Sequence, residues 1–396
     1  MSGRVWVRRA FLRAVVSVAA AATVVSGGFV WASSSPKAAA VWETSIHFPG
    51  VLDLAGPRTD GRYVAAAHGR LKLLATDGVV TDLAPAYSVP PNPESYISMS
   101  PGFSVTGTGC EFPPDLLFAL DLRSRPPGVS TISAAGLVSH LATIDGVSTL
   151  SGIAMDTTGD FGHRLLVTGR IAAKTIVAAI DCTGSVKRVG TVNAGIEGGI
   201  SVAPRNFGPY GGQLIGADEV HGNVYAISAT GRVSVVANPG IPAGQDIGVE
   251  STGFVPAAGA VAAYVADRGT PRSADPHPGT DHVLALNAVA LSAAGVITGD
   301  LLVAAEGAGT LVKVHCARAC TSALIARGPA VAHVEGHIVI VAKTNPLVPG
   351  SASPSKTAAG SGLRKIVIGV AVVVVVAVTV GAALALAARR HREGES

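Results

Sequence analysis

The sequence predicts an all-β repeat fold over residues 41–346, a β-propeller of about six four-stranded blades. Three observations predict it. Short runs of Val, Ile, Leu and Ala recur between clusters of Gly, Asn, Asp and Pro, which is the punctuation of strands and hairpins. Two such units, 152–189 and 199–237, match segment by segment with four strands each. A glycine ahead of the fourth strand returns at Gly78, Gly136, Gly184 and Gly231, at intervals of 58, 48 and 47 residues. That is the length of a propeller blade. Seven blades, or a pair of β-sandwiches, are the alternatives the same pattern admits.

The elements follow in order. Residues 63–84 hold two or three strands of a first blade and 116–142 those of a second. The third comprises 152–155, 164–167, 175–180 and 185–189; the fourth comprises 199–204, 213–218, 223–227 and 232–237. Residues 254–286 read as a fifth blade interrupted by an insertion at 268–281. Residues 301–326 read as a sixth, and 332–343 as the strand that closes the ring.

Both ends are of a different kind. Arg4, Arg8, Arg9 and Arg13 precede an Ala/Val-rich stretch and Ser26-Gly27-Gly28, the layout of a secretory signal over 1–32. The run Arg8-Arg9-Ala10-Phe11-Leu12-Arg13 resembles a twin-arginine signal, with an ordinary secretory signal or an uncleaved anchor as alternatives. Cleavage fits after Ala32, with 38–40 as a second position. Near the other end, residues 366–388 form 23 consecutive positions without a charge. A helix of that length spans about 34 Å, enough for a hydrocarbon core of about 30 Å. The organisation expected is therefore a signal, an ectodomain (41–346), a Pro/Ser/Ala/Gly-rich stalk (347–363), a transmembrane helix (364–388) and a short cytoplasmic tail (389–396). The expected location is the outer face of a bacterial cytoplasmic membrane, which is itself a partner through the helix.

Composition then sharpens. With 48% hydrophobic and 14% charged residues the chain is not disordered. The net charge of +4 conceals an asymmetry. Residues 1–13 carry +4 and 363–396 carry +3, which leaves −5 for 41–346 once Lys37 and Lys356 in the linkers are set aside. A mildly acidic domain points away from nucleic acid and toward an unidentified surface or envelope ligand.

The units resemble the six-bladed propellers of the NHL-repeat and gluconolactonase-like superfamily. The resemblance is carried by Leu214-Ile215-Gly216-Ala217-Asp218, Val224-Tyr225-Ala226-Ile227 and Glu197-Gly198-Gly199-Ile200. It implies a divalent metal, Ca²⁺ or another, held by carboxylates on the channel axis to polarise a lactone or ester carbonyl. Glu197 matches the strand-opening glutamate of that superfamily.

Read from position alone, Glu197 and Glu250 sit just before inner strands, and Thr149 takes that place one blade earlier. Asp218, Glu219, Asp267 and Glu306 end second strands on the same face, and Asp246 lies in the loop before Glu250. The candidate metal ligands are thus Glu197, Glu250, Asp246, Asp218 and Asp267; the alternative is that these acids satisfy loop backbone donors or face solvent. Asp275, His277, Asp281 and His282 crowd the 268–281 insertion, and read as an exposed loop or as a transition-metal site. No Gly-x-Ser-x-Gly elbow and no His-Glu-x-x-His occurs, so neither a serine hydrolase of that type nor a zincin is signalled. Cys316 and Cys320 are spaced for a small disulfide loop, and Cys110 and Cys182 for a bond between adjacent blades. The expected activity is recognition at the cell surface, with a metal-dependent lactonase or esterase as the alternative and a purely structural envelope protein as a third.

Overall fold

The structure, a computed structural model, describes residues 39–90, 94–270 and 277–342. The expected signal, stalk, apolar helix and tail lie outside the described residues. Among the described residues no helix is long and apolar enough to cross a membrane.

Six sheets form the blades of a propeller, each with four antiparallel strands, and the sheet of blade five carries a short fifth strand. Blade one runs outward through Val51–Ala55, Tyr63–Ala67, Arg70–Leu74 and Val80–Asp82. Blade two uses Ile97–Met99, Leu117–Asp121, Gly128–Ile132 and Val138–Thr143. Blade three uses Thr149–Met155, Leu165–Ile171, Lys174–Ile180 and Val186–Val192. Blade four uses Ile196–Val202, Leu214–Asp218, Asn223–Ile227 and Val233–Ala237.

Blades five and six depart from the sequence expectation. Val249–Phe254 is the inner strand of blade five, yet it pairs with Leu301–Ala305. The strands between them cross to blade six, where Ala260–Asp267 pairs with the inner strand, Val334–Ala342, and His282–Asn287 pairs with Ala260–Asp267. Residues 254–286 are therefore not a fifth blade, and 301–326 belongs to the fifth rather than the sixth. Alternating apolar residues specify a strand but not its partner, so the crossing leaves no trace in the pattern. The N-terminal strand Glu43–His47 completes blade six from outside, and Ala40–Val41 lies parallel to the outer strand of blade five.

Six apolar clusters fill the six seams. Each joins neighbouring blades, including the seam of six with one, where Ile46, Leu54, Tyr63, Tyr264, Val283 and Val339 meet. The repeating glycines have two reasons to be glycine. Gly78, Gly136, Gly184 and Gly231 all have φ between 81° and 87°, which L side chains adopt rarely. Three of them also press on the preceding blade: a Cβ on Gly136 would lie 2.0 Å from the carbonyl oxygen of Leu83, on Gly184 2.1 Å from that of Leu141, and on Gly231 2.4 Å from that of Val189.

At the axis the inner strands meet closely. A Cβ on Gly199 would lie 2.3 Å from the carbonyl oxygen of Gly336. Asp53 and His337 tie the strands together there. The Asp53 carboxylate accepts from the Ile97 N–H at 2.7 Å and from the His337 N–H at 2.7 Å, while Nε2 of His337 donates to the Ile153 carbonyl at 2.9 Å. Four inner strands thus share one polar pin.

Both expected disulfides are formed. Cys110–Cys182 fastens the hairpin insert Phe103–Ser104/Glu111–Phe112 to blade three, and Cys316–Cys320 joins directly paired residues of one hairpin.

Candidate functional site

The loops entering the inner strands and those joining second to third strands share one face, and the acids gather there. Three inner strands open with glutamate in the same local pattern: Ile196-Glu197-Gly198, Val249-Glu250-Ser251 and Val334-Glu335-Gly336. Gly198 and Gly336 hold φ of 71° and 67°, so each backbone kinks directly after the glutamate. The residue just after the second strand is Glu219 in blade four, Glu306 in blade five and Arg268 in blade six.

Tyr96, fully buried, stands at the centre. Its hydroxyl lies 2.7 Å from Glu250 Oε1, 2.9 Å from Glu335 Oε2 and 3.1 Å from Glu94 Oε2. One hydroxyl proton cannot satisfy three carboxyl groups, so at least one acid here carries its own proton. Glu250 is that acid: burial and the nearby Glu335 push its carboxyl far above the ordinary range. Arg268 Nη1 reaches Glu94 at 2.5 Å and Glu335 Oε1 at 2.8 Å.

Beside it, His333 Nε2 lies 2.7 Å from Glu306 Oε1 and 3.3 Å from Glu335 Oε1. Burial alone would lower the imidazole, but Glu306 and Glu335 outweigh it and carry His333 to about 11. Burial would likewise raise Glu335, yet His333 and Arg268 hold it at about 2. Glu335 is the anchored anion of the site. Burial pushes Glu306 up to about 9, and it shares a hydrogen bond with Glu219, itself raised to about 7 by burial and by Glu197. Glu197 also stands at about 7, raised by burial against the pull of its partner Arg170. Glu219 and Glu250 are thus both shifted toward the protonated form, Glu219 chiefly by burial and Glu250 by burial and the nearby Glu335.

The candidate ligands separate on this map. Glu250 and Glu197 face the mouth, and exposed Asp246 meets Glu219 through its backbone N–H. Asp218 and Asp267 turn to local duties. Asp218 accepts from His221 Nδ1 at 2.8 Å within its own hairpin, and Asp267 accepts from the His333 N–H at 2.8 Å and from the Thr280 hydroxyl. Of the insertion residues, Asp275 lies outside the described residues. Asp281 accepts from the Gly50 and Gly269 N–H groups, His277 Nδ1 meets the Ala330 carbonyl at 2.6 Å, and His282 Nδ1 meets Thr280.

Among the described residues the donors for a divalent ion form two sets, Glu306–His333–Glu335 and Glu219–Asp246–Glu306, each with ligand atoms within 4.8 Å of one another. The chemistry fits: carboxylate oxygens predominate, and buried acids hold protons that a cation would replace. Residues missed from sequence are Glu335, His333, Tyr96, Glu94, Arg268 and Arg170. Glu335 carried a visible signal, since Val334-Glu335-Gly336 copies Ile196-Glu197-Gly198.

No protein-family model and no curated protein matches the chain. Among solved structures it is similar to a virginiamycin B lyase from Staphylococcus aureus with quinupristin, 11% identical, TM-score 0.39, over 71% of this chain and 72% of that one. A gluconolactonase from Xanthomonas campestris is 13% identical, TM-score 0.36, over 58% and 69%. An auxiliary nutrient binding protein from Bacteroides thetaiotaomicron is 11% identical, TM-score 0.41, over 70% and 57%. Likenesses at this level carry no inference about activity. Fold and site together define a six-bladed β-propeller with an acidic mouth.

Proposed function

We propose that the protein is an exported propeller, tethered to the outer face of the cytoplasmic membrane, that recognises a positively charged ligand in its mouth. One observation carries the reading: among the described residues seven acids (Glu94, Glu197, Glu219, Asp246, Glu250, Glu306 and Glu335) converge on one face against three cations, Arg170, Arg268 and His333. Carboxyl groups kept protonated by burial and by one another are poised to lose those protons to a cation. Two disulfides support an oxidising compartment, and the twin-arginine-like run with the charge-free 366–388 stretch supports export and tethering.

The test compares wild type with the Glu219→Gln/Glu250→Gln variant as bait in envelope extracts. Retention of the same ligand by wild type and its loss from the variant support the reading. Equal recovery by both baits overturns it. Fractionation that leaves the intact chain in the cytosol overturns the export half. A metal-dependent lactonase or esterase on the same face is the second reading, favoured by the imidazole set between two carboxyl groups, and it requires metal-dependent ester hydrolysis lost in Glu306→Gln.

A further inference from the structure

Away from the mouth, two histidines meet on the outer half of blade six. His47 ends the outermost strand, Glu43–His47, and His282 begins the third strand, His282–Asn287. They stand directly opposite each other in the antiparallel ladder, and their ring centres lie 4.9 Å apart. The acids of the mouth lie elsewhere, where inner strands begin and second strands end, so this pair is independent of the recognition reading.

The backbone on both sides is fixed. The Phe48 N–H donates to the Asp281 carbonyl at 2.7 Å, and the Gly50 N–H donates to the Asp281 carboxylate at 2.7 Å. The turn that follows His47 is thus fastened to the residue that precedes His282. Phe48, 5% exposed, adds an apolar anchor in the seam of blades six and one.

Hydrogen bonds decide which nitrogen of His282 is available. Its Nδ1 lies 2.7 Å from the Thr280 carbonyl, which only accepts, and 3.1 Å from the Thr280 hydroxyl, whose own proton goes to Asp267. Nδ1 therefore carries hydrogen, and in the neutral ring Nε2 holds the lone pair, with no partner among the described residues. A carbonyl that fixes one ring nitrogen and aims the other is the usual support of a metal-ligating histidine. His47 is exposed, and neither of its nitrogens makes a hydrogen bond or ion pair among the described residues.

The ring spacing suits chelation. An ion about 2.0–2.1 Å from an imidazole nitrogen lies about 3.2 Å from the ring centre. Two rings on one ion, at the roughly 90–109° of square-planar or tetrahedral coordination, have centres roughly 4.5–5.2 Å apart. The observed 4.9 Å falls inside that range.

We propose that His47 and His282 chelate a late first-row divalent ion, Cu²⁺, Ni²⁺ or Zn²⁺, on the outer edge of blade six. Imidazole suits these ions, whereas Ca²⁺ and Mg²⁺ favour oxygen ligands. Of the three, Cu²⁺ binds tightest, following the general order for such ligands. The exposure of His47 leaves the remaining coordination positions open to water or to a donor from another molecule.

The test uses the full chain purified in detergent without a histidine tag, stripped with a chelator and titrated with Cu²⁺, Zn²⁺ or Ca²⁺ alone. The expected result is one Cu²⁺ per chain, with affinity falling at least about 10-fold in His47→Ala and in His282→Ala, since even a supporting contact of a ligand is worth that much. His140→Ala, on the outer strand of blade two, and the Glu219→Gln/Glu250→Gln variant of the mouth leave it unchanged. The paramagnetic resonance spectrum of the Cu²⁺ form shows coupling to two imidazole nitrogens, reduced to one in either histidine variant. Circular dichroism reports folding; should His282→Ala fail to fold, His47→Ala and the wild-type spectrum decide the matter. Absence of a stoichiometric ion, preference for Ca²⁺, unchanged affinity in the folded histidine variants, or a spectrum without two-imidazole coupling overturns the proposal. Loss of the ion from the mouth variant places the metal in the mouth and overturns it as well.

Discussion

His337 and Asp53 face each other across the axis of the ring, with Nδ1 of His337 3.0 Å from each oxygen of the Asp53 carboxylate. Since Nε2 donates to the Ile153 carbonyl at 2.9 Å, both ring nitrogens carry hydrogen and the residue is an imidazolium. Burial alone would lower its pKa, but Asp53 outweighs burial and raises it above the ordinary 6.5.

Replacing His337 with alanine strands the Asp53 charge among the inner strands. A loss of about 3–5 kcal/mol is expected in urea unfolding, the usual cost of removing one partner from a buried pair. The pH dependence has a definite sign. A group whose pKa is higher folded than unfolded adds stability that is complete below 6.5 and is lost as pH rises through the folded value. Wild type therefore declines in stability above pH 6.5 by an increment that His337→Ala lacks, and parallel urea titrations between pH 5 and 9 measure it.

Ring closure depends on the N-terminal strand as well as the pin. Trp42 is 4% exposed, and its indole Nε1 donates to the Gly309 carbonyl at 2.8 Å, joining the N-terminal segment to blade five. Trp42→Ala is expected to cost about 3–5 kcal/mol through the cavity it leaves. Trp6 and Trp31 precede the mature chain if cleavage follows Ala32 or the 38–40 site, so tryptophan fluorescence of that chain reports this seam alone. Its unfolding transition should coincide with that followed by circular dichroism.

The two disulfides differ in the length of chain they close. Cys110–Cys182 spans 72 residues and Cys316–Cys320 spans 4. Loop-closure entropy gives about 4 kcal/mol for the long loop and about 2 kcal/mol for the short one. Paired serine variants at Cys110/Cys182 should therefore lower the unfolding midpoint more than those at Cys316/Cys320, and thermal melts of the two variants check the order.

Much of this architecture is legible in the chain. The glycine period is visible because two physical demands, a positive φ and contact with the preceding blade, fall on Gly136, Gly184 and Gly231 together. The interleaving of blades five and six is not legible, because Ala260–Asp267 has the same apolar character whichever inner strand it joins. The site divides similarly. Glu197, Glu250 and Glu335 stand at one repeat position, so the pattern that reveals the first two also reveals the third. Tyr96, Arg268 and His333 reach the mouth from unlike positions, and only the closed ring brings them together. Asp218 and Asp267 show the converse: acids placed correctly by the repeat are drawn to nearby backbone and side-chain donors.

Carboxyl labelling with a membrane-impermeant carbodiimide, on intact cells and on the purified chain, tests the central claim that the mouth is an extracytoplasmic ligand site. Asp246 is exposed and belongs to the mouth, whereas Asp77 and Asp160 are exposed in loops on the opposite face of the ring. The account predicts that on cells Asp77 and Asp160 label as in the purified chain, while Asp246 is protected by the bound ligand. Equal labelling of Asp246 in both preparations, or no labelling of any of the three on cells, would contradict it.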